Sequence, residues 1–263
     1  MRQHLWLYLI AVLAIVTVLP LTLAVQIPFG ANITPLTNQT APIASPQVHS
    51  AIAGNVTLMN ISGVSTTQSW QGYFGNVTGT VQLADSNGYA MYNWSNLNPS
   101  GQVYTSTADT INWYALQCFN FSATGAINSA GETPGGWNQK GMNLTQLQAT
   151  YGINATDPDS VNNTFSLGGT GSHSTFYTAS LAFPDTSCNS TRLYDTSGTS
   201  VPGRFQEVLQ YEPTTNSVIF TSLINNDIPG FDHVTHDFQA MVLVNGHGTN
   251  TSTIPYYFYA QIT

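Results

Sequence analysis

The chain has 263 residues, of which only 6% are charged, with four basic against twelve acidic side chains and a formal net charge of −8. So few cations exclude a surface that neutralises phosphates, and with it nucleic acid as a partner and strong binding to anionic lipid headgroups. Hydrophobic residues at 42% and aromatics at 11% exclude disorder and allow a sizeable core, so solubility must come from neutral polar groups or attached sugar.

The first residues, MRQHLWLYLIAVLAIVTVLPLTLAVQ, place a single Arg ahead of an uncharged apolar run over residues 5–24. The small residues Thr22 and Ala24 suit a signal-peptidase site, so residues 1–24 read as a signal peptide cleaved after Ala24. The run also approaches the ~20 residues that cross a bilayer, so the alternative is an N-terminal membrane anchor. Either reading places the rest of the chain outside the cytoplasm, extracellular or at the cell surface, with membrane contact only through an uncleaved N-terminus. Residues 25–50 are rich in Pro, Thr and Ala without sustained periodicity, and read as an extended linker or stalk. Pairing as a strand with a neighbouring subunit is the alternative for this segment. Residues 51–263 read as a single domain.

From Gly54 the signals are mostly those of strands. NVTLMNI reads as a short first strand. NVTGTVQL and YAMYNW flank Asp85-Ser86-Asn87-Gly88, whose Asn-Gly step favours a tight hairpin. QVYTST follows as a strand, and TADTINWYALQC is expected to hold a short helix capped by Thr or Asp. GMNLTQLQATYG is the best helix: Leu144, Leu147 and Tyr151 share one face, and Gly152 suits the left-handed C-terminal position. Strands then resume with STFYTASLAF, STRLYD, RFQEVLQYE, NSVIFTSLI, DFQAMVLV and PYYFYAQI, with EPTTN as a second hairpin turn. The pattern predicts a mainly β fold, an antiparallel β-sandwich (jelly-roll or Ig-like) with one or two short helices. The two cysteines, Cys118 and Cys188, lack the C-x-x-C spacing of redox or zinc sites, and in an exported chain they read as one disulfide. Two buried free thiols are the alternative.

Asn-x-Ser/Thr triplets begin at Asn32, Asn38, Asn55, Asn60, Asn76, Asn93, Asn120, Asn143, Asn154, Asn162, Asn189 and Asn250, twelve in all. Chance at this composition gives roughly five, so the excess points to N-glycosylation. Strand parity supports the same reading. Asn76, Thr78, Thr80 and Gln82 fall on one face of their strand, and Val77, Val81 and Leu83 on the other. Asn93 opposes Tyr92 and Trp94, and Asn120 alternates with Phe119 and Phe121. The apolar face of the hairpin, Val77, Val81, Leu83, Tyr92 and Trp94, is therefore expected on the core. Asn55 and Asn60, five residues apart, face opposite ways on one strand, so that strand has to end or bulge between them, or one site is unused.

Chemistry-bearing clusters are few. DIPGFDHVTHDFQ gathers Asp227, Asp232, His233, His236 and Asp237, and Asp232, His233, His236 and Asp237 have the ligand types of a zinc-like site. Pro229 and Gly230 suggest a loop, and a polar turn bonding its own backbone is the favoured reading. DPDSVNN, residues 157–163, offers oxygen ligands for Ca2+ but lacks the glycine and glutamate of an EF-hand loop; an Asx-turn opening a short helix is favoured. No cofactor motif is present, and a divalent ion such as Ca2+ is the only candidate. Glu207 shares the parity of Phe205, Leu209 and Tyr211 and so faces inward, yet a glycosidase needs two carboxylates and no second is apparent. Ser172-His173 follows no nucleophile-elbow pattern.

Several of these segments together, WQGYFGNVTGTVQLAD, INWYALQC, FQEVLQYE leading to IFTSLI, and the closing DFQAMVLVNGHGTNTSTIPYYFYAQI, resemble an exported surface glycoprotein family of small-genome episymbiotic (DPANN-type) archaea. The landmarks are a Trp-x-Gly-Tyr-aromatic-Gly-Asn strand, a Trp and Cys near the middle, and Asn-Gly-His-Gly followed by Tyr-Tyr-Phe-Tyr, over about residues 54–262. The resemblance implies a surface or secreted glycoprotein and implies no reaction. It draws attention to His247, as a ligand or as a cap of its loop, the second being favoured.

The expectation is an N-glycosylated extracellular structural or adhesive protein, a subunit of a surface layer or filament, and not an enzyme. Its partners would be further copies or other cell-surface proteins and glycans, met by strand and face packing, with PYYFYAQI or the extended N-terminal segment completing a neighbour's sheet. The alternative is a monomeric carbohydrate- or host-binding, lectin-like module. It would use Trp70, Tyr73 and Phe74, which Gly72 and Gly75 expose if they bulge the strand. A secreted glycosidase or metal-dependent hydrolase ranks third.

Overall fold

The computed structural model describes residues 26–96, 99–125, 133–170, 172–193, 205–247 and 252–262. The N-terminal segment 1–24 and Asn250 lie outside the described residues. The fold is mainly β and antiparallel, a sandwich-like body with two short helices among the described residues.

The organising element is a hairpin of β10 (Gln206–Glu212) and β11 (Ser217–Leu223). Its turn is the predicted EPTTN. The Glu212 carboxylate accepts the N–H groups of Thr214 and Thr215 at 2.9 and 2.7 Å, and Asn216 takes the left-handed conformation, φ 53°. Every residue of β10 is buried, because its sequence presents apolar groups on both parities. Leu209 opposite Phe220 and Tyr211 opposite Val218 feed one core with Trp70, Phe119, Leu147, Phe165 and Leu243. Val208 and Ile219 feed a second core on the other face, with Tyr104, Trp113, Leu116, Phe176 and Phe183. Two hydrophobic cores thus flank one central sheet.

That sheet has seven strands. β5 (Gly101–Ser106) pairs with β11, β15 (Tyr257–Ile262) pairs with β5, and β1 (Phe29–Gly30) pairs with β15 through two residues. The far edge of β10 is shared by two short strands, β6 (Gln117–Cys118) and β9 (Ser190–Arg192). The disulfide between Cys118 and Cys188, Cα atoms 5.0 Å apart, bolts these two pieces together beside β10. The predicted pairing of the cysteines is present, and it ties together the two segments that pair with the same edge of β10.

The first core is roofed by β2 (Trp70–Gly75) and β14 (Phe238–Leu243), paired to each other. The free edge of β14 is held by side chains rather than by a strand. Glu207 accepts the Met241 N–H at 3.0–3.1 Å, and Ser222, its cross-strand partner, donates to the Gln239 carbonyl at 2.8 Å. The helix α1 (Leu144–Thr150) closes the same core, with Leu147 and Tyr151 buried as expected. Asn143 caps it in a capping box with Gln146, at 2.9 and 3.1 Å, and Gly152 is left-handed, φ 68°. The helix α2 (Val161–Thr164) follows Ser160. The second core is roofed by β7 (Phe176–Thr178), β8 (Leu181–Phe183) and the segment 107–116. No helix forms in that segment, contrary to expectation. Ile111, Trp113 and Leu116 instead enter the core from turns, and their burial outweighs local helix preference. A further short pair, β12 (Ile228–Pro229) with β13 (Thr235–His236), shapes the loop before β14.

Two parts stand apart from this body. The predicted hairpin forms as β3 (Gly79–Ala84) and β4 (Ala90–Asn96), with the Asp85 carboxylate accepting the Asn87 and Tyr89 N–H groups in its turn. Its apolar face does not lie on the core. Val81 opposite Trp94 and Leu83 opposite Tyr92 are 48–57% exposed. The hairpin meets the body at its base, where Gly79 abuts Ile262. The second part is an N-terminal arm. Residues 32–68 are exposed without exception, and residues 55–61, predicted as a strand, have no ladder partner among the described residues.

Candidate functional site

The β3–β4 hairpin is amphipathic. One face carries Val81, Leu83, Tyr92 and Trp94, with the Tyr92 and Trp94 ring centroids 4.7 Å apart. The other carries Thr80, Gln82 and Asn93, and Asn93 is exposed as an attached sugar requires. The outer edges of both strands are unpaired among the described residues. An isolated two-stranded ribbon is marginal in water, and an apolar patch of this kind marks a contact surface. The arm carries further exposed apolar residues, Val56, Leu58, Ile61 and Val64, all 88% exposed or more. The arm rejoins the body where Thr67 donates to the Asp159 carboxylate and Gly246 N–H bonds the Gln68 carbonyl.

The aromatic trio proposed from sequence as ligand contacts is placed otherwise. Trp70 is 9% exposed, donates its indole N–H to the Asp159 carbonyl at 2.7 Å, and packs on Phe165 and Phe220. It is a core residue, closed to a ligand. Tyr73 stands edge-on to Phe258, half-buried, and burial raises its phenol pKa. Phe74 is partly exposed but engaged by Phe231 and His236. Gly72 and Gly75 do not bulge the strand, because β2 runs in unbroken register with β14 from Trp70 to Gly75.

The Asp/His loop behaves as a polar turn. His236 Nε2 lies 2.9 Å from Asp232 Oδ1, and His233 is exposed in the left-handed conformation. Asp237 turns away and staples two other segments, accepting the Val77 N–H at 2.8 Å and the Asp227 N–H at 3.1 Å. Among the described residues no three His, Cys, Asp or Glu side chains converge on one point. Asp157 accepts the Asn154 N–H at 2.9 Å, three residues upstream, so it closes the turn behind it and does not open α2 as the expected Asx-turn; the helix starts after Ser160, whose side chain makes no cap bond.

Glu207 is fully buried, and desolvation raises its pKa well above the usual carboxylate value despite the hydrogen bond from Met241. Its oxygens face a backbone N–H of β14, not an open cleft, so it acts as a substitute strand edge. Ser172 donates to the Asp185 carbonyl at 2.8 Å rather than to its neighbour His173. The His173 ring is buried between the Ser174 carbonyl at Nδ1 and the Cys188 N–H at Nε2, and burial lowers its pKa. These partners fix the neutral tautomer with the proton on Nδ1. His247 is half-buried, with Nδ1 unpartnered among the described residues.

Of the triplet asparagines, Asn32, Asn38, Asn55, Asn60, Asn76, Asn93 and Asn154 are exposed. Asn120, Asn143, Asn162 and Asn189 are half-buried, and the Oδ1 atoms of Asn120 and Asn143 already accept the N–H groups of Ser122 and Gln146.

Sequence reasoning missed one feature, a cleft of about 460 Å³ at the end of the central sheet where the second core stops. Gln102, Gln206 and Gln261 project into it from β5, β10 and β15, beside Ser174, Thr175 and Tyr177. The available signal was glutamine at the inward parity of three strands, a position normally apolar.

The described residues thus define a class of protein, an antiparallel, mainly β domain stapled by one disulfide. No family model, curated protein or solved structure matches this chain.

Proposed function

We propose that the chain is an extracellular, N-glycosylated structural or adhesive protein of a cell surface, which assembles with further copies of itself into a layer or filament. The observation that carries this reading is the β3–β4 hairpin, whose apolar face of Val81, Leu83, Tyr92 and Trp94 is open and whose edges are unpaired among the described residues. The arm supports it from the other side. Residues 55–61 are expected from sequence as a strand and have no ladder partner among the described residues, so each region offers what the other lacks. Addition of an arm strand to a neighbour's hairpin edge would satisfy backbone groups and cover the apolar face together. The export signal, the twelve triplets and the surface-glycoprotein resemblance are consistent with this and belong to the same proposal.

Analytical ultracentrifugation of the purified full chain tests it. Oligomers are expected, and Tyr92→Ser with Trp94→Ser, or deletion of residues 32–66, should leave monomer. A wild-type chain that stays monomeric with and without residues 25–50, and with calcium, would sink this route of assembly. Electron microscopy of native cell surfaces gives the independent check.

A further inference from the structure

We propose that the cleft at the end of the central sheet binds a neutral saccharide. The face of the sheet that builds the second core is apolar at its centre, with Tyr104, Val208 and Ile219. Toward one end it becomes amide, with Gln102, Gln206 and Gln261 all more than nine-tenths buried. Each amide spends its oxygen on the protein. Gln206 Oε1 accepts the Ser174 N–H at 2.6 Å, Gln261 Oε1 accepts the Ala179 N–H at 3.0 Å, and Gln102 Oε1 accepts the Tyr104 hydroxyl at 3.0 Å. Ser174 and Ala179 present N–H groups, which only an oxygen can meet, so the orientation of Gln206 and Gln261 is fixed. Their NH2 groups must point the other way. None of the three NH2 groups has a protein partner among the described residues, and none is sealed from the cleft they line.

This arrangement selects a ligand by its chemistry. The two donors fixed towards the cleft, on Gln206 and Gln261, reject an apolar occupant, which would leave them unpaired. No described lining residue is charged, and the chain carries a net charge of −8, so nothing balances a phosphate or carboxylate. What fits is neutral and rich in acceptor oxygens, with a C–H face to lie against the exposed Tyr177 ring. The hydroxyls of Ser174 and Thr175 add donors and acceptors at the rim. A volume of about 460 Å³ lies within the range of small-ligand clefts and accommodates a short oligosaccharide. The sugar would come from N-glycans on a second copy or from a polysaccharide outside the assembly, and the binding chemistry is the same for both.

Isothermal titration of the full chain decides it, using maltotriose, mannotriose and chitotriose in one arm and N-glycans released from the protein itself in the other. Saturable binding is expected in at least one arm. Preference for the released glycans identifies copy-to-copy recognition, and preference for the free oligosaccharides identifies an external polysaccharide. Tyr177→Ala touches no hydrogen bond of the fold, and Gln206→Glu keeps the acceptor for Ser174 while removing the donor. Each should weaken binding roughly tenfold, equivalent to about 1.4 kcal/mol. Tyr177→Ala should leave the melting temperature unchanged, and Gln206→Glu, which buries a carboxyl, is assayed at about pH 8 and 20 °C with its folded state confirmed by circular dichroism. Absence of saturable binding in both arms, tighter binding of sialylated or sulfated probes, or wild-type affinity in both variants would overturn the assignment.

Discussion

Two hairpins of this molecule have the same kind of turn and opposite surroundings. β10–β11 and β3–β4 each fold back through a short polar turn closed by a carboxylate, Glu212 in one and Asp85 in the other, but β10 carries apolar residues on both parities and β3 on one. The first is buried on both faces throughout β10. The second is exposed through most of β3, apolar face included. Parity reports which side chains share a face, but not what covers that face. One hairpin is covered on both faces by its own chain, and the apolar face of the other is left uncovered by the described residues.

The comparison can be broken most forcefully in the body. Phe220→Ala empties a site shared by Trp70, Phe165 and Tyr256, and should lower unfolding free energy by about 3–5 kcal/mol in a denaturant titration. Replacing both cysteines by serine releases a 70-residue loop and frees β6 from β9, at a cost of about 4 kcal/mol on the chain-entropy account, read from the same titration.

A smaller effect is expected where the roof meets the central sheet. Glu207→Leu leaves the Met241 N–H without its acceptor, a loss of about 1–3 kcal/mol at pH 4, where the native carboxyl is neutral. The pH dependence has a defined sign. The folded-state pKa of Glu207 is raised above its ordinary 4.5 by burial, so above pH 4.5 the unfolded state releases a proton that the folded state keeps. Stability therefore falls as pH rises from 4.5 towards the folded value. Glu207→Gln keeps an acceptor for Met241 and should flatten that slope in pH-dependent melting curves.

The smallest effect on the monomer, and the sharpest contrast, is at the hairpin. Trp94→Ser should change unfolding free energy by no more than about 0.5 kcal/mol, because the side chain leaves no core behind. It should nonetheless reduce self-association in sedimentation runs. A large loss of monomer stability with unchanged sedimentation would place Trp94 with the body instead.

Much of the local structure was legible. The α1 helix followed from Leu144, Leu147, Tyr151 and Gly152, which are signals read within a few residues, whereas its N-cap Asn143 stood out in the sequence only as a glycosylation triplet. The β3–β4 turn followed from Asn87-Gly88 for the same reason. The disulfide followed from there being two cysteines in a chain that reads as exported. The placement of Trp70 was less legible, because its fate depends on Asp159 and Phe220, far away in sequence. The helix expected in residues 107–118 failed because Ile111, Trp113 and Leu116 answer to a core assembled from β5, β7 and β10. The amide cleft was missed because Gln102, Gln206 and Gln261 are 159 residues apart end to end and meet only in the folded sheet.

Strand faces, the two hairpin turns and the glycine after α1 are set by covalent geometry and neighbours a few residues away. Which faces are covered, and which polar atoms are left over, depends on contacts between segments distant in the chain. Glu207 shows this division most clearly. Its inward parity was written in FQEVLQY, but whether an inward carboxylate meets a substrate or a backbone N–H depends on where β14 docks, and docking is settled by two cores packing at once on opposite sides of one sheet.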